Sequence, residues 1–147
     1  MVNIRRFSES LPMLLLRARE VAMSRFRPLL LAHGVTEQQW RALRALHELG
    51  ELTAAGLAAE CAILAPSMTR IIRRLSKDGY VLVSRSRDDQ RELNLKISAK
   101  GKRLVDRLGP EIETAYAAIR DQMDPEHMTA LYRELGRFIE RVDSRTN

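Results

Sequence analysis

The sequence predicts a mainly α-helical fold with one small β-hairpin. Apolar residues recur at three- and four-residue spacing over most of the 147 residues, and glycine, proline or a capping side chain stands where that pattern breaks. The period changes to two near the stretch LNLKI at residues 93–97, which follows the β-branched and aromatic run YVLV at 80–83. The low aromatic content of 5% and the charged content of 30% also suit a helical protein.

The first predicted helix covers residues 10–33. Two lines of apolar side chains run along it, so we expect it to bury surface against two neighbours, one of them a second subunit. Thr36 and Gln39 have the spacing of a capping box and predict the start of a second helix. The buried stripe expected on this helix consists of Trp40, Leu43, Leu46 and Leu49.

Two shorter helices precede the hairpin. Thr53 predicts the start of a helix over residues 54–60, and the next helix covers residues 65–78. Ala58 and Ala62 stand four positions apart, which predicts a close crossing of these two helices.

Two long helices follow the hairpin. Ser98 predicts the start of the first, in which Gly109 and Pro110 indicate a kink, and Asp124 predicts the start of the last. The apolar stripe expected on the last helix consists of Leu131, Leu135, Phe138 and Val142.

Positive charge is concentrated in the middle of the chain. The protein carries a net charge of +6, yet residues 61–103 alone hold 11 basic and 4 acidic side chains. A basic segment between a nearly neutral and an acidic one indicates a local site for a polyanion such as nucleic acid.

The helix over residues 65–78 has the chemistry of a DNA-recognition helix. Its apolar residues recur on one face, which leaves short polar and basic side chains on the other. The DNA contacts predicted from this helix are Pro66, Ser67, Thr69, Arg70, Arg73, Arg74 and Lys77. The alternative is a charged face that only contacts solvent, and the basic hairpin that follows argues against it.

The hairpin loop, RSRDDQREL at residues 85–93, contains three arginines and three acids. Arg85, Arg87 and Arg91 are predicted to reach a narrow minor groove or the DNA backbone, beside the recognition helix. Asp89 stands two positions before Arg91 and is predicted to hold its guanidinium before DNA binds, with Asp88 as the alternative. The alternative is a solvated turn with fortuitous ion pairs. Helix, turn, basic helix and hairpin together predict a winged helix-turn-helix.

Three stretches carry a family resemblance: TRIIRRLSKDGYVLVSR, the Asp-x-Arg of DDQR, and LKISAKGKRL. The chain resembles the MarR family of winged-helix regulators, over roughly residues 8–143. SLPMLLLRAREVAMSRFRPLLLAHGVTEQQWRALRAL and ILAPSMTRI are similar to the subgroup that regulates homoprotocatechuate and 4-hydroxyphenylacetate degradation.

The resemblance implies a homodimeric repressor that binds a pseudo-palindromic operator in double-stranded DNA and is released by a small phenolic or aromatic acid. It implies a single MarR-type domain over residues 1–147, with a DNA-binding part at 35–100. Residues 8–34 and 104–147 would form the dimerisation helices.

A phenolic acid needs a cation for its carboxylate and an apolar wall for its ring. Ser10, Met13 and Arg17 share one face of the first helix by their spacing, and a second group comes from the second helix. The predicted carboxylate partner is Arg17 or the pair Arg41 and Arg44, and Trp40 and Met13 are predicted to line the pocket. The candidate effector-binding residues are Ser10, Met13, Arg17, Trp40, Arg41 and Arg44. The alternatives are an ordinary core position for Trp40 and solvent-facing positions for Arg41 and Arg44.

Other classes of protein have less support. The sequence contains no glycine-rich phosphate loop, nucleophile elbow or histidine pair at metal-ligand spacing, so we expect no catalysis, cofactor or metal site. The remaining alternatives are a MarR-type regulator of efflux or stress genes and an architectural DNA-binding protein. Cys61 is the single cysteine, and we expect it to pack in the core of a cytoplasmic protein that neither forms a disulfide nor spans a membrane.

Overall fold

A computed structural model describes residues 1–85, 88 and 91–143. After a short 3-10 turn at Phe7–Glu9, the elements are α1 (Leu11–Ala32), α2 (Glu37–Leu49), β1 (Leu52–Thr53), α3 (Ala54–Cys61), α4 (Ala65–Lys77), β2 (Val81–Arg85), β3 (Leu93–Ile97), α5 (Ala99–Met123) and α6 (Pro125–Val142). The predicted fold, mainly helical with a small hairpin, is confirmed.

The chain divides into two compact units, Met1–Glu111 and Ile112–Asn147, and α5 contributes to both. The predicted kink at Gly109 and Pro110 lies inside α5, where the helix continues without a break. The predicted boundaries of the DNA-binding and dimerisation parts stay predictions.

Four helices begin at the capping residues that the sequence predicts. Thr36 forms the full capping box with Gln39, through bonds of 3.1 and 3.0 Å. The Thr53, Ser98 and Asp124 side chains each accept a hydrogen bond of 3.0 Å from a backbone N–H in the first turn of their helix. These bonds satisfy donors that a helix start otherwise leaves without a partner, and they define where α2, α3, α5 and α6 begin.

The three strands form an antiparallel sheet in the order β1-β3-β2. Val81 pairs with Ile97 and Arg85 with Leu93 in the predicted hairpin, and Leu52 of β1 pairs with Leu95 on its other side. β1 was not predicted from the sequence, since two residues are too short to show a periodic pattern and depend on their pairing with a distant strand.

The core of the first unit is aliphatic and draws on all five of its helices and on the sheet. Its most deeply buried side chains are Leu30, Leu43, Leu46, Leu57, Met68, Leu75, Leu95, Leu104 and Leu108. The predicted stripe of α2 is partly wrong: Leu49 is exposed at the end of the helix, Trp40 is half-buried and Ala42 is buried.

Ala62 lies in the turn after α3, as the sequence predicts, but the small contact predicted for it at the helix crossing is wrong. The axes of α3 and α4 meet at 109°, and Ala58 is buried as expected. Ala62, however, is exposed and has a left-handed backbone conformation with φ of 51°. It turns the chain after α3 and does not supply a small contact surface, and a compact side chain limits the strain of that conformation.

Apolar side chains remain exposed on α1 and α6. Leu11, Leu14 and Leu16 lie exposed on α1. The apolar stripe predicted on α6 is exposed along its length in the single chain: Leu131, Leu135, Phe138 and Val142. Faces of this size on two helices are the kind that associate with another protein surface.

No single helix within residues 1–85, 88 and 91–143 is long and apolar enough to cross a membrane, although α3 and α4 counted together across their bend have the length and composition.

Gly101 lies where α5 passes close to the backbone and side chains of the hairpin. A Cβ atom at this position would lie 2.4 Å from the Tyr80 carbonyl oxygen and 2.7 Å from Cγ1 of Ile97. The carbonyl belongs to backbone that cannot retreat, because Ser98 N–H donates a 3.0 Å hydrogen bond to it. The absence of a side chain at residue 101 therefore lets α5 pack against the start of β2.

We expect Gly101→Ala to lower the free energy of unfolding by about 1–3 kcal/mol, since the added methyl group forces backbone apart. Gly109→Ala is the matched control on the same helix, because a Cβ there meets nothing within 4 Å. The control should be neutral or more stable by about 0.5–1 kcal/mol. Urea denaturation of both variants measures the difference, and equal stabilities would contradict this packing.

Candidate functional site

The two faces of α4 differ as the sequence predicts. Met68, Ile71, Ile72 and Leu75 are buried. The polar and basic residues lie on the opposite side, where Ser67 is half-buried and the rest are exposed: Pro66, Thr69, Arg70, Arg73, Arg74 and Lys77. The helix therefore presents one continuous polar and cationic surface to solvent.

Some side chains on this surface already have partners within the protein. Arg74 Nε donates a 2.9 Å hydrogen bond to Asp78 at the end of the helix. Thr69 donates its hydroxyl hydrogen to the Ala65 carbonyl oxygen at 3.1 Å, so toward a ligand its oxygen acts as an acceptor. Arg70 lies 3.5 Å from the Ser67 hydroxyl, which is too long for a strong restraint. Arg70 can therefore reorient toward a ligand more readily than Arg74.

The C-terminal end of α4 is tied to α5. Ser98 Oγ donates a 2.6 Å hydrogen bond to the Gly79 carbonyl oxygen, and Lys100 Nζ donates one of 2.7 Å to the Asp78 carbonyl oxygen. The Lys100 ammonium also lies 4.8 Å from the centre of the Tyr80 ring. A cation at the last carbonyl groups of a helix stabilises that end of the helix.

The hairpin arginines are described only in part. Arg85 ends β2 and Arg91 precedes β3, and both are exposed. Arg87 and Asp89 lie outside the described residues. The predicted clamp of Arg91 by Asp89 therefore stays a prediction.

One carboxylate connects α1 with α2. Glu37 Oε2 accepts a 3.0 Å hydrogen bond from Arg27, while Oε1 accepts from Arg19 and, at 3.2 Å, from Arg41. Arg27 also binds both carboxylate oxygens of Glu20, at 2.8 and 2.9 Å. We call Arg19, Arg27, Glu37 and Arg41 the Glu37 cluster.

Arg41 extends this cluster to the turn before α4. Its Nη1 donates a 2.7 Å hydrogen bond to the carbonyl oxygen of Cys61, the last residue of α3. That carbonyl group lies at the negative end of the helix dipole, where a cation is favoured. The Glu37 cluster therefore holds α1, α2 and the turn between α3 and α4 in one arrangement.

The surroundings of Glu37 change its acidity. Partial burial acts to raise its pKa, but the hydrogen bonds and charges of Arg19 and Arg27 outweigh burial and lower the pKa below the ordinary 4.5. Because the side chain is only 18% exposed, solvent screens these interactions less than it screens surface ion pairs.

Cys61 is a core residue, as expected. It is buried, and burial raises the pKa of its thiol, so the reactive thiolate is disfavoured. Among residues 1–85, 88 and 91–143, no three histidine, cysteine, aspartate or glutamate side chains are grouped to hold a metal ion.

Trp40 and Arg44 form an aromatic and cationic pair on α2. The Arg44 guanidinium carbon lies 5.8 Å from the centre of the Trp40 ring, and Arg44 Nη2 is 3.7 Å from a Glu48 oxygen. Arg41, by contrast, donates hydrogen bonds to Glu37 and to the Cys61 carbonyl oxygen. Of the two arginines predicted on this helix, Arg44 is thus the better placed to meet a ligand carboxylate.

The residues predicted on α1 are less closely organised. Ser10 and Met13 are half-buried and Arg17 is exposed. Ser10 lines an open depression of about 670 Å³ that residues 4–7 and 9–12 form. A smaller cavity of about 200 Å³ between α1 and α2 is lined by Arg27, Leu30, Leu31, Val35, Thr36 and Glu37. The other five candidate effector residues line neither cavity.

Comparison with known proteins places the chain in a family. Residues 35–93 match the sequence model of the MarR family. The chain is 42% identical over 137 residues to the homoprotocatechuate degradative operon repressor of Escherichia coli, across 93% of each chain. The chain belongs to the MarR family. It is therefore a DNA-binding transcriptional regulator and not an enzyme.

Two solved structures extend the likeness of this MarR-family chain to three dimensions. The transcriptional regulator PA4135 superimposes with a TM-score of 0.87 at 38% identity, over 90% of this chain and 97% of that chain. NadR in complex with 4-hydroxyphenylacetate superimposes with a TM-score of 0.80 at 35% identity, over 97% of this chain and 100% of that chain.

The Glu37 cluster of this MarR-family chain was not predicted from the sequence. One local signal was available, because Glu37 and Arg41 have the i, i+4 spacing of a helical ion pair. The other members come from α1, and Arg19 lies 18 positions from Glu37. No sequence period indicates that separation.

We expect Glu37→Gln to lower the free energy of unfolding at pH 7 by about 1–2 kcal/mol, because charge-assisted bonds to three arginines become weaker. The lowered pKa means that the charged carboxylate stabilises the fold above pH 4.5, and that this contribution is lost as the pH falls through the lower folded value. The difference between wild type and variant should therefore shrink below pH 4.5.

Denaturation at a series of pH values tests this expectation. Glu60→Gln is the control, since Glu60 is exposed on α3, and it should change stability by less than about 0.5 kcal/mol. A Glu37→Gln variant as stable as this control at pH 7 would contradict a structural role for the cluster.

Proposed function

We propose that this protein is a homodimeric repressor of an operon for aromatic-acid degradation. The protein acts in the cytoplasm, where it binds a pseudo-palindromic operator, and a small phenolic acid releases it from the DNA. The relative from Escherichia coli is named for repression of a homoprotocatechuate degradative operon, and NadR was solved with 4-hydroxyphenylacetate. Both names point to phenolic acids as the class of effector.

The observation that carries DNA binding is the division of α4 into a buried and a cationic face. The polar face begins with Ser67 and Arg70, which are proposed to meet base edges in the major groove. Arg73 and Lys77 lie further along and are proposed to contact phosphates. Arg85 and Arg91 extend the cationic surface to the hairpin, where a minor groove or the backbone is within reach.

Dimerisation is supported by the apolar faces of α1 and α6. Leu14 and Leu16 on α1 and Phe138 and Val142 on α6 are between 37% and 62% exposed in the single chain. A second copy of the chain buries such faces and gives a two-fold axis that matches a pseudo-palindrome.

The effector proposal rests on the Trp40 and Arg44 pair. An indole ring supplies an apolar wall for a phenolic ring, and the guanidinium 5.8 Å from its centre supplies the charge for a carboxylate. Ser10, Met13 and Arg17 are proposed to complete the site from α1, and Arg41 to support it from within the Glu37 cluster.

Operator binding is tested first with a duplex that the purified full-length protein selects from a randomised library, called the selected duplex below. Arg70→Ala should weaken binding by about 1–3 kcal/mol and reduce discrimination against random DNA, because a base contact is lost. Lys77→Ala should weaken binding to the selected and the random duplex alike. The slope of log affinity against log salt should be near −5 if about six phosphates are contacted. In the variant this slope should become less steep by about one for each phosphate contact that is lost.

Fluorescence anisotropy at several salt concentrations measures both variants and the wild type. Wild-type affinity for the selected duplex should exceed that for random duplex by several orders of magnitude. Equal affinities would overturn the repressor proposal in favour of a sequence-independent DNA-binding protein.

Arg44→Gln should raise the concentration of 4-hydroxyphenylacetate needed to release the selected duplex by about 10- to 100-fold, because the carboxylate loses a charge-assisted partner. Arg17→Gln tests the second candidate cation in the same assay. Affinity for DNA without effector should stay within about twofold for both. Unchanged release in both variants would exclude these arginines, and no release of the wild type by any of a panel of phenolic acids would contradict the proposed effector class.

A further inference from the structure

The start of α4 differs from the starts of α2, α3, α5 and α6. α1 also begins without a side-chain cap bond, but its N-cap residue is Ser10, which carries an acceptor oxygen. Leu64 occupies the N-cap position, with φ of −67° and ψ of 144°, and makes no side-chain cap bond. By contrast Thr36, Thr53, Ser98 and Asp124 all cap their helices through a side-chain oxygen. Leucine has no acceptor atom and is among the least favourable N-cap residues. The helix that carries the DNA-binding face thus starts with a residue that weakens it.

Leu64 is also one of the most exposed large apolar side chains among the described residues. It is 80% exposed, while Ile63 immediately before it is 9% exposed and Met68 on the next turn is 1% exposed. Ala65 and Pro66 are exposed as well. Residues 64–66 therefore form an apolar tip at the N-terminal end of α4, next to Ser67 and Arg70.

Such a tip has a matching feature on DNA. In the major groove, thymine presents a 5-methyl group that the other three bases lack, and proteins read it by apolar contact. Recognition helices meet base edges with their N-terminal residues. The apolar tip occupies that end of α4, whereas a capping serine or aspartate would fill it with polar atoms.

We propose that Leu64 is a specificity-determining residue that packs on a thymine 5-methyl group in each half of the operator. This inference rests on the proposed insertion of α4 into the major groove. It adds an apolar contact to the hydrogen bonds of Ser67 and Arg70, and it accounts for a leucine at a position where a capping residue would stabilise the helix.

The test replaces each thymine of the selected duplex in turn by uracil, which lacks the 5-methyl group and keeps the same base pairing. Wild-type protein should lose about fourfold in affinity at one thymine per half-site, and about 15-fold when both halves are changed, as expected for one buried methyl group each. Leu64→Ala changes both halves of the dimer, so it should bind the unmodified duplex about 15-fold more weakly than wild type does. Replacement of that thymine by uracil should then cause no further loss of affinity in this variant.

Two variants separate base reading from helix stability. Leu64→Ser supplies the missing cap and should raise the melting temperature, yet it should bind the selected duplex as weakly as Leu64→Ala. Leu49→Ala removes another exposed leucine, at the end of α2, and should bind within twofold of wild type.

Three results would overturn the inference. These are equal wild-type affinity for thymine and uracil duplexes, an equal uracil effect in wild type and Leu64→Ala, and tight binding by Leu64→Ser. Each leaves the repressor proposal standing as long as the selected duplex is preferred over random DNA. Loss of that preference in the wild type would instead remove the proposed function itself.

Discussion

The position of the DNA-binding helix depends on the carboxylate of Glu37. Three arginines converge on it, and Arg41 continues from it to the Cys61 carbonyl group at the turn before α4. At the opposite end of α4, Ser98 donates a hydrogen bond to the Gly79 carbonyl group and Lys100 donates one to the Asp78 carbonyl group. The turn before α4 and the C-terminal end of α4 are thus attached by hydrogen bonds, and the buried face of the helix is packed between them.

The Glu37 cluster also distinguishes two neighbouring arginines of α2 by their contacts. The Arg41 guanidinium is hydrogen-bonded to Cys61 and Glu37, while Arg44 lies beside Trp40 and 3.7 Å from Glu48. The proposed effector site at Arg44 is therefore one helical turn from an arginine that holds the turn before α4. This short separation is the physical means by which the proposed effector would disturb the DNA-binding face.

α4 combines strong packing with a weak start. Its inner side chains are nearly inaccessible to solvent, whereas its first residues expose apolar surface without a side-chain cap. Stability is commonly given up at a functional surface when a residue there meets a ligand better than it supports the fold. The exposed stripes of α1 and α6 are a related case, since burial in one chain would remove the surface that is proposed to meet a second copy.

Features that depend on a few neighbouring residues could be predicted from the sequence. The caps at Thr36, Thr53, Ser98 and Asp124 span three residues, and the two faces of α4 follow from helical periodicity. Expectations that needed the path of the chain were less successful. Leu49 is exposed and lies outside the buried stripe because α2 ends there. Ala62 adopts a left-handed conformation in the turn and does not supply the small contact expected at the helix crossing.

The sequence by itself determined the helix starts, the cationic face of α4 and the family. Capping hydrogen bonds and helical faces depend only on residues three or four positions apart, so the order of residues is enough to predict them. Only the tertiary structure decided which arginine of α2 supports the fold and which lies beside Trp40, and only it paired β1 with β3. Arg19 and Glu37 are 18 positions apart, and Arg41 and Cys61 are 20 apart. Contacts over such distances arise from how the helices cross, and no local pattern encodes them.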